Sequence, residues 1–549
     1  MKKNWWKEGV IYQIYPRSFY DSNGDGIGDL NGIRQKLPWL KHLGVDIIWL
    51  SPVYQSPNDD NGYDISDYYQ IMDEFGTMDD FDRLLEEIHG MGLRLVMDLV
   101  VNHTSDEHFW FQESRKSKDN PYRDYYIWRP PVNGGVPNNW KSFFSGDAWE
   151  MDPATGEYYL HLFSRKQPDL NWDNPKVREE VYQLMRFWLD KGIDGFRMDV
   201  IPFISKPDGL PDKDWAKIPD YGVAYANGPR VHEYLQEMNR EVMQHYDMMT
   251  IGEGVGISAE NANLYVGNDR GELNMIFHFD HMFIDHGPNG RMEKKNYELK
   301  DFLEVFDRWE NALGEKGWGS IYLGNHDFPR MVSRFGDAEN FWEQSAKLLA
   351  ALIFTRKGTP GVYQGDEIGL TNTPFVSIDE YRDIEILNAW SALKAKGGDE
   401  KAFLDTALTQ ARDHARTPMQ WDDSENGGFS THTPWIRVNP NYTHIHAQAQ
   451  AKQEGSVFNF YREMISLRKS HPVWVYGDTE LIASGHEQVY AYKRSYESDS
   501  FLVVLNFSSQ PVKHELSRYK GAVIVSNYPE EAVLGEYLQP WEATIIRLS

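Results

Sequence analysis

The sequence predicts an α/β protein: a (β/α)8 TIM-type barrel with a subdomain inserted after its third strand and an antiparallel β domain at its carboxyl end. Three observations carry this. Short apolar runs alternate with amphipathic helical patterns through eight repeats. The alternation breaks once, in a stretch rich in Trp, Tyr, Pro, Gly and Asn. The tail then changes to short alternating runs separated by turn residues. The boundaries read as 1–103 and 175–472 for the barrel, 104–174 for the insert and 473–549 for a carboxyl-terminal β-sandwich.

The first strand is Val10 to Tyr15, followed by a helical pattern from Ile33 to Leu43. Val45 to Leu50 is the second strand, Phe81 to Ile88 a helix, and Leu93 to Val101 the third strand. After the insert, Asn174-Pro175 starts a helix whose Val177, Val181, Leu184, Met185, Trp188 and Leu189 share one face. It delivers the chain to Gly195-Phe196-Arg197-Met198-Asp199-Val200, the fourth strand. Met248 to Glu253, Leu273 to Phe279, Ser320 to Leu323 and Gly361 to Gln364 supply strands five to eight. A long connection runs to about Gln453, a helix spans Val457 to Leu467, and strand-like runs such as Phe501 to Leu505 follow.

At 549 residues the chain exceeds what one core serves, which fits a large domain with smaller ones attached. The 56 basic against 83 acidic side chains leave a formal charge of -27, which argues against nucleic acid or an anionic membrane as partner. There is no cysteine, so disulfides and thiolate metal sites are excluded. Met1 to Glu8 lacks the apolar core of a secretory signal, and no window of about 18 apolar residues suggests a membrane span. The expectation is a cytoplasmic protein, a monomer or small homo-oligomer.

In Asp21-Ser22-Asn23-Gly24-Asp25-Gly26-Ile27-Gly28-Asp29, oxygen-bearing side chains recur at alternate positions, interrupted only at Ile27. The spacing matches the first part of a calcium loop, with a backbone carbonyl at its seventh position and Asp29 in place of the closing Glu. A structural Ca2+ is expected there.

Functional side chains of such a barrel gather where strands end at the carboxyl face. Those ends carry Asp98 and Asn102-His103, Arg197 and Asp199, Glu253, and His326-Asp327. Carboxylates without a cysteine, a metal-type His cluster or a Ser-centred elbow point to glycosyl chemistry, which needs one acid for the leaving oxygen and one carboxylate for the oxocarbenium-like centre. Asp199, two residues from Arg197 and on the same strand face, suits the nucleophile, held ionised by that guanidinium. Glu253, raised by desolvation and by the charge of Asp199, suits the general acid.

Tyr12 to Phe19, Asp98 to His103, Gly195 to Val200, Gly252-Glu253, Asn325-His326-Asp327 and Arg416 to Trp421 together resemble the α-amylase superfamily of glycoside hydrolases (family 13), within it the oligo-1,6-glucosidase/α-glucosidase group. The resemblance covers nearly the whole chain. It implies a small oligosaccharide substrate and retention through a covalent intermediate, with Asp199 as nucleophile, Glu253 as acid/base and Asp327 as transition-state stabiliser. It implies Ca2+ at Asp21, Asn23, Asp25, the Ile27 carbonyl and Asp29. It also implies a glucose-sized pocket: Tyr63 stacks on the ring, Asp60 with Arg416 clamps the nonreducing-end hydroxyls, His103, Arg197 and His326 bond the same ring, and Phe144 and Phe163 wall the pocket. Val200 and Gln167-Pro168-Asp169-Leu170-Asn171 resemble members preferring α-1,6 bonds. Gly254-Val255-Gly256-Ile257 departs from relatives that carry Met or Pro near the acid, which leaves leaving-group recognition open.

The expected activity is therefore an exo-acting α-glucosidase on isomaltose-type bonds. A sucrose isomerase, transglucosylase or sucrose hydrolase is the alternative within the same chemistry; the Arg-Leu-Asp-Arg loop associated with the isomerases is absent. A non-catalytic ancillary protein is the alternative from another class, opposed by the presence of all three carboxylates.

Overall fold

A computed structural model describes residues 4–287, 290–528 and 534–549. Met1, Lys2 and Lys3, part of the stretch read as carrying no signal, lie outside the described residues. Eight parallel strands form one sheet, in the order six, five, four, three, two, one, eight, seven, and a parallel bridge between Ile276 and Gly319 joins its ends into a barrel. The strands are Ile11–Ile14, Ile47–Leu50, Arg94–Leu99, Gly195–Met198, Met249–Glu253, Met275–Phe277, Ser320–Ile321 and Thr359–Tyr363.

Ile11, Ile47 and Leu95, all fully buried, show why these runs are apolar throughout: they pack on the barrel interior on one side and on helices on the other. The helices carry the expected stop and start signals. Asn174 caps Pro175–Lys191 through its side chain, and Gly192 ends it at φ 108. Gly195 is required by close approach, because a Cβ there would lie 2.0 Å from the Met249 carbonyl oxygen. That contact sets the fourth strand tightly against the fifth, and so places Asp199 beside Glu253.

The insert contains a three-stranded antiparallel sheet of Trp128–Arg129, Glu157–Leu160 and Trp149–Asp152. A bridge from His103 to Asp169 stitches the segment leading out of it to the barrel loop, and one from Tyr126 to Leu170 ties that segment to the rest of the insert. At the carboxyl end, five antiparallel strands and a two-stranded ribbon enclose Val489, Leu502, Val504, Val512, Leu538 and Ile546.

The segment read as one long connection contains helices Ile384–Ala395 and Glu400–Gln410. They close over a small separate core of Phe375, Tyr381, Ile386, Phe403 and Ala407. Apolar residues of the first helix also lie off the face that packs on this core, so the contrast between its faces that a core-facing helix writes into a sequence is weak. No described helix is long and apolar enough to cross a membrane.

Candidate active site

At the carboxyl ends of the strands lies a cavity of about 350 Å3, within the size range of small-molecule sites. Its wall includes Asp60, Tyr63, His103, Phe144, Phe163, Asp199, Val200, Glu253, His326 and Asp327, ten of the residues expected from the sequence. Arg197 and Arg416 are each 1% exposed and lie beneath this wall instead of in it.

Arg197 organises the floor. Strand register sets it opposite Asp98, and its Nη1 donates to Asp98 Oδ1 at 2.6 Å and to Asp199 Oδ1 at 2.7 Å. Its Nη2 sits 2.9 Å from Glu253 Oε2. One guanidinium thus serves three buried carboxylates. This corrects the expectation that Arg197 holds Asp199 ionised by itself: burial and the neighbouring Glu253 push Asp199 well above the ordinary carboxyl range, against the pull of Arg197. Burial also raises Glu253, with the charge of Asp327 adding to it and Arg197 and the Val200 N–H opposing it. Asp199 Oδ1 and Glu253 Oε2 thus stand on the two terminal nitrogens of one guanidinium.

Asp327 differs. Burial would raise it, but cations outweigh burial and hold it far below the usual range. Arg412 Nη1 and Arg416 Nη2 each sit 3.2 Å from its Oδ1. His326 Nε2 is 3.2 Å from Oδ2, yet burial pushes this imidazole down to about 3, so near neutrality the arginines supply the positive charge. His326 also stacks flat on Tyr63, with ring centroids 5.0 Å apart and planes within 4°. Tyr63 is presented by a turn with Asn61 at φ 49 and Gly62 at φ 100, and it donates to Asp98 Oδ2 at 3.2 Å.

The clamp on Asp60 is corrected. Arg412, not Arg416, lines the cavity and lies 3.3 Å from Asp60 Oδ1. Arg416 instead donates from Nε to the His326 carbonyl at 3.0 Å, supporting the loop from behind. The two arginines stand four residues apart, and sequence spacing alone cannot say which one faces the substrate. Asp383 fixes Arg412 at 2.5 and 3.0 Å, and the Phe144 ring lies 5.1 Å from its guanidinium carbon. Asp60 is pushed up to about 6 by burial, opposed by Arg412.

Val200 holds the one backbone oddity in the site. The strand ends at Met198, and Val200 turns into the left-handed region at φ 34, ψ 38. A β-branched residue there stores about 1–3 kcal/mol of strain, a feature that persists only where the surroundings impose it. The turn aims the Val200 N–H at Glu253 Oε2, 2.8 Å away, while the Val200 side chain lines the cavity. Gln167 does not line the cavity; its Nε2 donates to Asp60 Oδ2 and to the Tyr63 carbonyl, both at 3.1 Å.

Several lining residues were not read from the sequence. Arg291 and Glu385 pair at 3.1 Å, and the Arg291 Nη1 donates to the Asp327 carbonyl at 2.7 Å. Val255, Phe279, Tyr221 and Lys295 line the wall as well. Val255 belonged to the departure noted after Glu253, the only signal for any of them.

In the acidic loop, the N–H of Asn23 reaches Asp21 Oδ1 at 3.1 Å, that of Asp25 reaches Asn23 Oδ1 at 2.9 Å, and that of Ile27 reaches Asp25 Oδ1 at 2.9 Å. These successive turns gather hard oxygen donors of the type Ca2+ takes. The Asp29 carboxylate is occupied as the cap of helix Leu30–Leu43, accepting from Ser22 N, Ser22 Oγ and Gly32 N at 2.7–2.8 Å. Among the described residues, no three His, Cys, Asp or Glu side chains converge as a metal centre.

A family model described as the alpha amylase catalytic domain matches residues 13–477, and one described as the maltogenic amylase C-terminal domain matches residues 479–542. The chain is 56% identical to an oligo-1,6-glucosidase of Parageobacillus thermoglucosidasius, with 100% of both chains covered. It is 53% identical to one of Bacillus cereus, again over 100% of each. Among solved structures, the isomaltulose synthase of Protaminobacter rubrum superposes with a TM-score of 0.97 at 45% identity, covering 100% of both chains.

Proposed function

The chain belongs to the α-amylase family of glycoside hydrolases, and from that premise we propose that it is a retaining, exo-acting α-glucosidase that releases glucose from short α-1,6-linked oligosaccharides. The observation that carries this reading is the Asp199–Glu253 pair, one carboxyl on each terminal nitrogen of Arg197, beside the Asp60–Arg412 ion pair. Inverting enzymes keep their carboxyls about 6.5–9.5 Å apart to seat a water, whereas retaining ones hold them about 5–5.5 Å apart, the closer spacing that two carboxyls on one guanidinium fit.

In this reading the terminal glucose ring lies on Tyr63, and Asp60 with Arg412 takes the hydroxyls of its nonreducing end, so a chain can enter by its end only. Glu253, raised by burial, carries the proton and meets the glycosidic oxygen, while Asp199 keeps Arg197 and attacks the anomeric carbon as Glu253 protonates the departing oxygen. Water activated by Glu253 then frees the sugar from Asp199. Asp327, ionised between its arginines, binds hydroxyls more tightly as the ring gains positive charge.

Val200 is proposed to select the linkage, since its side chain stands beside the acid that meets the leaving group. Val200→Thr should lower the isomaltose-to-maltose ratio of kcat/KM by about tenfold, the scale of a single apolar contact. Product analysis on isomaltose, maltose and sucrose tests the whole reading: glucose from isomaltose supports it, and isomaltulose or trehalulose as the main product from sucrose favours the isomerase alternative, a reading prompted by the likeness to an isomaltulose synthase.

The proposal includes a structural Ca2+ held by Asp21, Asn23, Asp25 and the Ile27 carbonyl, with Asp29 shared between the ion and its helix. Chelation should lower the melting temperature by several degrees, as loss of a ligand bound only to the folded state does, with kcat at room temperature unchanged. A chelated enzyme that melts at the same temperature would remove the ion from the account. The proposal also assigns the enzyme to the cytoplasm, as a monomer or small homo-oligomer.

A further inference from the structure

The strained turn at Val200 needs something to hold it, and the segment that follows is anchored at two places. The Ser205 backbone is pressed against Gly228 so closely that a Cβ on Gly228 would lie 1.8 Å from the Ser205 oxygen, and the Ser205 hydroxyl receives the Arg230 N–H at 2.9 Å. One residue on, Lys206 Nζ lies 2.7 Å from Asp169 Oδ2 and donates to Asn102 Oδ1 at 2.7 Å. The lysine side chain is 7% exposed and the aspartate side chain 0%. The second oxygen of Asp169 accepts the Leu162 N–H at 2.9 Å, and Asn102 Nδ2 donates to Oδ2 at 3.1 Å. Three segments thus meet on one buried ammonium: the loop after the third strand, the Gln167–Asn171 segment of the insert, and the stretch leaving Asp199. Neither Lys206 nor Asp169 lines the catalytic cavity.

We propose that Lys206 is a positioning residue: its buried ion pair with Asp169 fixes the segment after Val200 so that the Val200 N–H stays on Glu253, and through this pair the insert acts on the acid/base group. The inference rests on the reading of Glu253 as that group. The groups facing Glu253 are Arg197 and Asp199 on the fourth strand, Asp327 beyond the seventh, Tyr322 behind, and the Val200 N–H. Arg197 and the Val200 N–H favour the carboxylate, whereas burial and Asp327 favour the acid. Losing the Val200 donor therefore makes Glu253 a weaker acid. The segment Gln167–Asn171 accordingly acts at a distance from the sugar, with Gln167 on Asp60 and Asp169 on Lys206.

The test compares K206M, D169N and the double variant on isomaltose across pH. Each single variant should lower kcat about tenfold with KM within about twofold, and should move the alkaline limb of kcat/KM upward by about half to one pH unit. The double variant should move it no further than either single one, as members of one shared contact do. K206M leaves a buried carboxylate unpaired, so a failure of that variant to fold is resolved by the double variant, which carries neither charge. Alkaline limbs that coincide with the wild type while melting temperatures fall would show a purely structural pair and overturn the proposal, as would additive limb shifts. E253Q measured alongside separates the two levels: full activity in E253Q refutes the reading of the acid itself, independently of Lys206.

Discussion

Asp199→Asn is expected to lower kcat on isomaltose by about 10^4- to 10^6-fold, the range in which a covalent nucleophile is lost while binding persists. The amide keeps the shape of the side chain and still accepts from Arg197, so KM should change little. It cannot form the covalent bond to the anomeric carbon. Steady-state kinetics with a matched circular dichroism spectrum checks the expectation. Activity within tenfold of the wild type would remove Asp199 from the chemistry.

Arg412→Ala carries the second large effect, on both stability and binding. Arg412 faces Asp60 and Asp383, both buried, at 3.3 and 2.5 Å, and the partly exposed Asp327 at 3.2 Å. Removing one partner from such a cluster costs about 3–5 kcal/mol, because the charges left behind have no water to turn to. Asp60, at about 6 even beside Arg412, would rise further and be protonated at neutral pH, so the clamp would lose both of its charges together. We expect kcat/KM to fall by about 10^3-fold or more, mainly through KM, since buried charged hydrogen bonds to substrate are lost with it. Arg412→Lys should recover stability but little binding, because a point charge cannot reproduce the fork. Arg416→Ala should raise KM less, since Arg416 supports Asp327 from beneath the wall. Equal effects of the two arginines on KM would contradict the geometry.

The barrel was legible because its strands are buried on both faces and stand in the sequence as continuous apolar runs with helices between them. Asp199, Glu253, His326 and Asp327 were legible for a related reason: each lies at or within a few residues of the end of such a run, where a barrel puts its chemistry. What stayed hidden needs the third dimension. Arg412 and Arg416 are equivalent in spacing, and only packing against Phe144 and Asp383 turns one of them to the cavity. Glu385 sits on a helix whose apolar residues are spread around its circumference, so its amphipathic contrast is weak. The left-handed turn at Val200 runs against the preference of a β-branched residue and is imposed by contacts on Ser205 and Lys206 from distant parts of the chain. The sharing of Arg197 among Asp98, Asp199 and Glu253 follows from strand register, which two residues in a motif do not disclose.

Asp199 and Glu253, held on the two terminal nitrogens of Arg197, are placed to work by double displacement. Following isomaltose hydrolysis by proton NMR from the first seconds tests this most directly. The glucose released from the nonreducing end should appear first as the α anomer and relax to the equilibrium mixture only by mutarotation. Initial release of the β anomer would mean a single displacement by water and would contradict the assignment of Asp199 and Glu253.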